Sequence, residues 1–366
     1  MIKFLDLNLV NEVYETDFKK SFKDFLKSGH YILGNQVSEF ENEFASFCGT
    51  EYCIGVSSGL DALQLIFEAY KVIGRLSVGD EVLVPANTYI ASVLAISNAG
   101  LKPVLIEPCL KTYNIDSSEI EANINAKTKA ILGVHLYGQL YNVSELEHIS
   151  KKYNLLLIED AAQAHGATYT DGRVAGNLSA VAAFSFYPTK NLGALGDAGA
   201  VTTNDKQLAE VIFKLRNYGR ISTYKNELQG YNCRLDELQA TFLRIKLKKL
   251  RLDNKERQKL AQLYINNIDN NDVVLPFFND INQHVFHLFV IRSEKRDLLK
   301  AYLLKNNVQT LIHYPLPIHK QPAYKQWTNF RFPYTEKIHD EVLSLPLYPR
   351  LSVESLHKVC ALINSF

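Results

Sequence analysis

The chain is poor in the features that mark the special classes of protein. Its five cysteines are odd in number and scattered. Cys48 and Cys53 come closest together, and no second pair completes a zinc pattern or a disulfide framework. A stapled secreted domain is therefore disfavoured, and a reduced cytoplasm is the simple expectation. Neither sign of charge dominates: 40 Lys and Arg stand against 39 Asp and Glu, a net charge of +1. That balance argues against a general nucleic-acid or membrane-surface binder. No apolar run is long enough to cross a bilayer. The N-terminal MIKFLDLNLVNEVYE has no signal-peptide core followed by a small-residue cleavage site. Repeats and low-complexity tracts are also missing.

What is present is alternation. From about Tyr52 to Thr203, short β-rich runs alternate with segments of helical length. YCIGV leads to LDALQLIFEAYKVI, DEVLVP to YIASVLAISNAG, KPVLIEP to a helix starting near Asp116, and AILGVHLYG to VSELEHISKKY. LLLIEDAA, VAAFSF and GAVTTN follow. The β-runs are apolar nearly throughout, as strands buried on both faces are. The expected class is α/β, with a mostly parallel sheet covered by helices. RLDELQATFLRIKLKKLRLDNKERQKLAQLYINNI reads as one long helix leading out of a large domain. The expected division is a large domain over 1–250, N-terminal helical segment included, and a smaller α+β domain over 251–366. The 366 residues are enough for two or three lobes. Trp327 reads as core of the smaller domain.

Ligands of open α/β sheets gather at the carboxyl ends of strands. VSSGLDAL at 56–63 is a strand, a tight Ser-Ser-Gly turn and a helix start, whose N–H groups suit a phosphate; an ordinary capped helix reads the same way. LIEDAAQAHG puts Asp160 at the end of an apolar run, where a carboxylate is costly unless a cation meets it. A protonated heterocyclic nitrogen is one such cation, a helix cap the plain alternative. Gln163 follows three residues on. In FSFYPTKNLGALGDAG, Lys190 follows the strand that holds Ser185, and glycines let backbone pass close to a ligand. A desolvated lysine loses proton affinity and becomes nucleophilic toward carbonyls. A lysine, an upstream Asp and a phosphate turn are the parts needed for pyridoxal phosphate: Lys190 for the Schiff base, Asp160 to hold the pyridinium nitrogen protonated.

The motifs SGHYILGNQVSEFENEFASFCGTEYCIGVSSG, PANTYIASVLAI, IEDAAQAHG, FSFYPTKNLGALGDAGAV, LRNYGR and GYNCRLDELQA, in this order and spacing, resemble nucleotide-sugar aminotransferases of the DegT/DnrJ/EryC1/StrS type. The resemblance covers nearly the whole chain and implies the aspartate aminotransferase (type I) fold. It implies that Lys190 carries the cofactor, Asp160 pairs with the pyridine nitrogen and Gln163 contacts the ring hydroxyl. Tyr89 would stack on the ring. Ser185 and the backbone at Gly59 and Leu60 would hold the phosphate, and Asn232 would reach the phosphate of a neighbouring subunit, making the active unit a homodimer. Leu60 departs from the pattern, since many relatives carry Thr there and with it a hydroxyl contact. Dehydratase relatives have His at the Schiff-base position, whereas this chain has Lys190. The flanks of Lys190 resemble those of enzymes that aminate C3, rather than C4, of a deoxythymidine-diphosphate-linked keto-6-deoxyhexose. A ping-pong cycle with L-glutamate as donor and pyridoxamine phosphate as intermediate is the implied reaction.

For the sugar nucleotide, Tyr187 is expected to project a hydroxyl toward the sugar. LIHYPLPIHKQPAY supplies His313 first and His319 second, each with a structural hydrogen bond as the plain alternative. Arg220 and Lys225, with Tyr224 beside them, are candidates for the diphosphate, and Tyr31 for the rim of the site. Competing expectations are another enzyme on the same scaffold, and a non-catalytic cofactor-binding or regulatory protein. The second should have lost one of Lys190, Asp160, Gln163 or Asn232, and all four are present.

Overall fold

The apolar runs become strands, and their pleat divides them between two cores. The computed structural model describes residues 1–366. Strands β1 (Tyr52–Val56), β2 (Glu81–Pro85), β3 (Lys102–Ile106), β4 (Thr128–Val134), β5 (Leu156–Asp160), β6 (Val181–Ser185) and β7 (Gly199–Thr203) form one sheet in the order β1-β7-β6-β5-β4-β2-β3. Only β7 runs against its neighbours; the other pairings are parallel. Successive side chains leave opposite faces of a strand. Leu83, Ile131, Leu157 and Phe184 accordingly join one core, with Phe40 and Phe44 of the helix Asn35–Cys48. Val82, Leu132, Ile158 and Ala183 join the other, with Leu63 and Ile66 of the helix Gly59–Val72. Covered on both faces, the sheet offers a ligand only its ends.

The short hairpin of β8 (Arg220–Ser222) and β9 (Lys225–Asn226) projects from the surface. The C-terminal part is built on β10 (Phe289–Arg292) and β11 (Val342–Leu345), paired antiparallel. Its core gathers Leu260, Tyr264, Phe289, Leu299 and Leu356. Ile2 bridges Val308, and Leu5 and Leu9 pack against this same core. Residues 2–10 thus lie with the C-terminal part, although the sequence suggests the large domain for them, while Phe18 of the next helix, Glu15–Ser28, packs on Phe242.

Three sequence expectations need correction. The expected long helix is two, Glu237–Leu247 and Leu250–Asn267. Leu243, Leu247 and Leu250 belong to the core under the sheet, while Leu260 and Tyr264 belong to the C-terminal core. One straight cylinder cannot serve both, and the break is closed by a tight-turn bond from Lys249 N–H to the Lys246 carbonyl (3.0 Å). The helix expected near Asp116 is a pair of 3₁₀ turns, Ser117–Glu119 and Glu121–Asn123. Ile120 is the one buried side chain of that stretch, too little for an amphipathic face. Trp327 is core, but it stacks on Tyr324 (centroids 4.4 Å apart) and packs with the helices of the large sheet.

Candidate active site

The ends of β1, β5 and β6 point the same way and open on a cavity of about 570 Å³. After β1, Ser58 caps the helix Gly59–Val72 by accepting from Asp61 N–H (3.1 Å). The first-turn N–H groups of Gly59 and Leu60 have no intrahelical acceptor. Gly59 lies against β6: a Cβ built on it would fall 2.7 Å from the Ser185 Cβ. The close approach leaves a cradle of backbone N–H groups and the Ser185 hydroxyl, which suits a phosphate.

Asp160 ends β5 and is 7% exposed. Its Oδ2 accepts from Ser92 Oγ (2.8 Å) and its Oδ1 from Ala162 N–H (3.2 Å). Burial raises its pKa; those two donors and the Lys190 charge work the other way. The preceding residue, Glu159, faces the opposite side. There it accepts from His135 Nε2 (3.0 Å) and from the N–H groups of Gly176 (2.9 Å) and Leu178 (2.8 Å), which fixes the strand end. Gln163 is held at both ends of its amide. Oε1 accepts from Tyr137 N–H (2.7 Å) and Nε2 donates to the Tyr314 hydroxyl (3.1 Å).

Lys190 lines the cavity in the loop after β6. Its Nζ makes no ion pair with any carboxylate. Burial lowers its pKa from 10.5 to about 8, against the pull of Asp160. Near neutral pH such an amine exchanges its proton readily. Tyr89 stands at the start of the helix Ile90–Asn98, half exposed, with its ring 5.1 Å from that of Tyr314.

The structure therefore brings Gly59, Leu60, Tyr89, Asp160, Gln163, Ser185, Tyr187, Lys190 and His313 to one cavity. His313 hydrogen-bonds Ser344 Oγ through Nδ1 (2.8 Å). Burial and the Lys190 charge lower its pKa to about 4, so it meets a ligand as a neutral ring. His319 is not part of the cavity. It is fully buried, bonded through Nε2 to Glu336 (3.1 Å) and set beside Phe332; the structural hydrogen bond is its role. Arg220, Tyr224, Lys225, Asn232 and Tyr31 also lie outside the cavity, on the surface. The Arg220 guanidinium donates to the carbonyls of Ser222 and Thr223, and Tyr224 is 96% exposed. Thr88, Asp197, His287 and Tyr314 line the cavity without being singled out by the sequence. Thr88 and Tyr314 adjoin residues that were, in NTYIAS and LIHYPLP, and that adjacency is the only signal for them.

A lysine with lowered proton affinity, a buried carboxylate and a phosphate cradle in one cavity match the DegT/DnrJ/EryC1/StrS aminotransferase family, whose model covers residues 13–364. The chain belongs to that family. It is 52% identical over 366 residues to a dTDP-3-amino-3,6-dideoxy-alpha-D-galactopyranose transaminase of Aneurinibacillus thermoaerophilus, covering 100% of this chain and 99% of the relative. Among solved structures, Streptomyces venezuelae DesV superposes with a TM-score of 0.96 at 41% identity, over 100% of this chain and 98% of that one. Bacillus subtilis NtdA with bound cofactor PMP gives 0.91 at 31% identity, over 99% and 85%. The type I fold expected from the sequence is thus found, and this DegT/DnrJ/EryC1/StrS member is a sugar aminotransferase. No helix in it is long and apolar enough to cross a membrane.

Proposed function

We propose that the chain transfers the amino group of L-glutamate to C3 of a dTDP-linked 3-keto-6-deoxyhexose, giving a dTDP-3-amino-3,6-dideoxyhexose. In net terms the donor becomes 2-oxoglutarate and the keto oxygen is replaced by the amine. The observation that carries the reading is the unpaired Lys190 amine in one cavity with Asp160 and the Gly59–Ser185 cradle. These residues fit pyridoxal phosphate, which when bound supplies an aldehyde for a lysine amine and a ring that takes up electrons. The N–H groups of Gly59 and Leu60 and the Ser185 hydroxyl bind its phosphate. Asp160 holds the ring-nitrogen proton, Gln163 meets the ring hydroxyl and Tyr89 covers the ring. Lys190 Nζ takes the proton from the donor Cα and returns one at the sugar C3. Its pKa of about 8 leaves both protonation states accessible near neutrality. Tyr187 and neutral His313 hydrogen-bond the sugar hydroxyls.

The active unit in this reading is a homodimer. Lys190 is the only Lys or Arg that lines the cavity, so a nucleotide diphosphate needs cations from elsewhere. Arg220, Lys225 and Asn232 lie outside the cavity, in or next to the hairpin that carries exposed Tyr218, Ile221 and Tyr224. That surface suits a second copy that lends these groups to its neighbour.

The deciding experiment is an absorption spectrum of the purified protein with pyridoxal phosphate. A visible band that L-glutamate converts to a near-ultraviolet one, and that a dTDP-linked 3-keto-6-deoxyhexose restores, is the expected result. A protein that stays colourless overturns the assignment. For the shared site, Lys190→Ala and Asn232→Ala subunits are each expected to be weak alone and to regain activity when mixed. No regain would leave each site within one chain.

A further inference from the structure

A short chain of hydroxyls stands behind the Asp160 carboxylate. Thr88 Oγ1 and Ser92 Oγ are 2.9 Å apart, and Ser92 Oγ is 2.8 Å from Asp160 Oδ2. Thr88 and Ser92 are 2% and 1% exposed. Ser92 stands in the first turn of the helix Ile90–Asn98, and Thr88 just before its extended N-cap Tyr89, so the chain's entry into the helix folds the two hydroxyls together. The other carboxylate oxygen is held by Ala162 N–H.

The direction of this chain is fixed by what each group can do. An ionised carboxylate only accepts, so Ser92 must donate to it. The single Ser92 proton is then spent, and the Ser92 oxygen must accept from Thr88. The proton order is Thr88 to Ser92 to Asp160. If Asp160 were protonated on Oδ2, the order would reverse, with Asp160 donating to Ser92 and Ser92 to Thr88. Hydroxyls polarised toward the carboxylate favour its charged form, and this matters at a position where burial raises the pKa. The charged group that acts on Asp160 with the same sign is Lys190; the nearby His135 ring accepts from Tyr141 N–H at Nδ1 and meets Glu159 at Nε2.

From this geometry we propose that Ser92, backed by Thr88, is a positioning residue that keeps Asp160 ionised and aimed at the cofactor's ring nitrogen. The proposal rests on the reading that pyridoxal phosphate occupies the cavity. Without Ser92, the carboxylate is more basic. It would draw the shared proton from the ring nitrogen, the cofactor would supply less positive charge near Lys190, and the Lys190 nitrogen would hold its proton more tightly.

The test uses the holoenzyme with Ser92→Ala, Ser92→Thr and Thr88→Val. For Ser92→Ala, pyridoxal phosphate should bind roughly tenfold more weakly, the scale of losing a hydrogen bond to a charged group. The pH midpoint of its visible absorption band should move upward by about half a unit. The rate should fall while the KM for L-glutamate stays close to wild type. Ser92→Thr keeps the hydroxyl and should restore all three; Thr88→Val should lie between Ser92→Ala and wild type. A Ser92→Ala protein that loses thermal stability alone, with cofactor affinity and band midpoint unchanged, would show a merely structural hydroxyl and overturn the proposal. If Ser92→Ala does not fold, nearly isosteric Thr88→Val decides, since an unshifted midpoint there removes the relay. Wild-type protein that takes up no pyridoxal phosphate would instead overturn the functional reading, a different result from wild-type uptake with unaffected variants.

Discussion

Gln163 Nε2 donates to the Tyr314 hydroxyl at 3.1 Å, joining residues 151 positions apart in the chain. The amide stands three residues after β5, and the phenol in the C-terminal part beside β11. Through this bond the C-terminal part reaches the floor of the cavity. Two more contacts fix the same segment: the Tyr137 hydroxyl donates to the His313 carbonyl, and His339 Nδ1 meets the Tyr314 carbonyl at 2.7 Å.

Tyr314→Phe removes that acceptor while keeping the ring against Tyr89. One lost hydrogen bond between neutral groups corresponds to about fivefold in affinity. Cofactor retention in equilibrium dialysis is expected to fall by that order, with little change in thermal midpoint. Retention equal to wild type would make the bond incidental to the site.

Burial of the Lys190 amine has a signature in the cofactor-free protein. Its pKa falls from 10.5 to about 8 on folding. Between those values the unfolded chain holds a proton that the folded chain does not, so this group's contribution to stability rises with pH across the window. Below about pH 8 both states are protonated and the contribution is flat. Lys190→Met should therefore be more stable than wild type by its largest margin below pH 8. The margin should shrink toward pH 10.5, as followed by urea unfolding. A margin that does not change with pH would mean that the amine is solvated.

Gly59→Ala tests the phosphate cradle. Alanine is the better helix former by about 1 kcal/mol, so propensity alone predicts a gain. The new Cβ would meet the Ser185 Cβ at 2.7 Å, and overpacking of this kind costs about 1–3 kcal/mol. The expected outcome is lower stability and at least roughly tenfold weaker cofactor binding, since the clash falls between the two anchoring elements. Unchanged binding would place the phosphate elsewhere.

His313 and His319 should separate cleanly. His313→Ala is expected to slow the sugar half-reaction by about tenfold and to leave the glutamate half-reaction near wild type. His319→Ala removes a buried ring beside Phe332, leaves Glu336 with Lys320 and should cost about 1–3 kcal/mol of stability with both half-reactions intact. The reverse pattern in rapid-mixing absorbance would exchange their roles.

The parts of the site that follow strands were legible in the sequence. Asp160, Ser185 and Lys190 each come directly after or within an apolar run, and the local pattern fixes which strand end they occupy. Side chains that arrive from distant elements gave no such sign. Tyr314 and His287 reach the cavity only because the C-terminal part folds back, a matter of long-range packing. His319 shows the converse. Its motif looks as functional as that of His313, and only burial beside Phe332 and Glu336 separates them. The expected long helix failed for a related reason, because residues 237–267 are helical throughout except at the joint, and the joint is dictated by two cores that the local pattern does not reveal.

Gly199 pairs with Val56 of β1 on one side and with Ser185 of β6 on the other. A Cβ there would meet the Ser58 backbone at 2.4 Å. One residue thus pins the two strand ends of the proposed phosphate cradle, whereas the thirteen-residue span 186–198 that carries Lys190 is held from elsewhere, by Asn191 to Asn254 and Val285 and by Lys246 to the Gly193 carbonyl. The anchor and the reactive loop are thus fixed by different partners. Substitutions at exposed loop positions such as Tyr187 can reshape the cavity wall while the contacts of Gly199 stay in place. On such a scaffold the carbon that receives nitrogen is free to diversify while the means of delivering it stays constant.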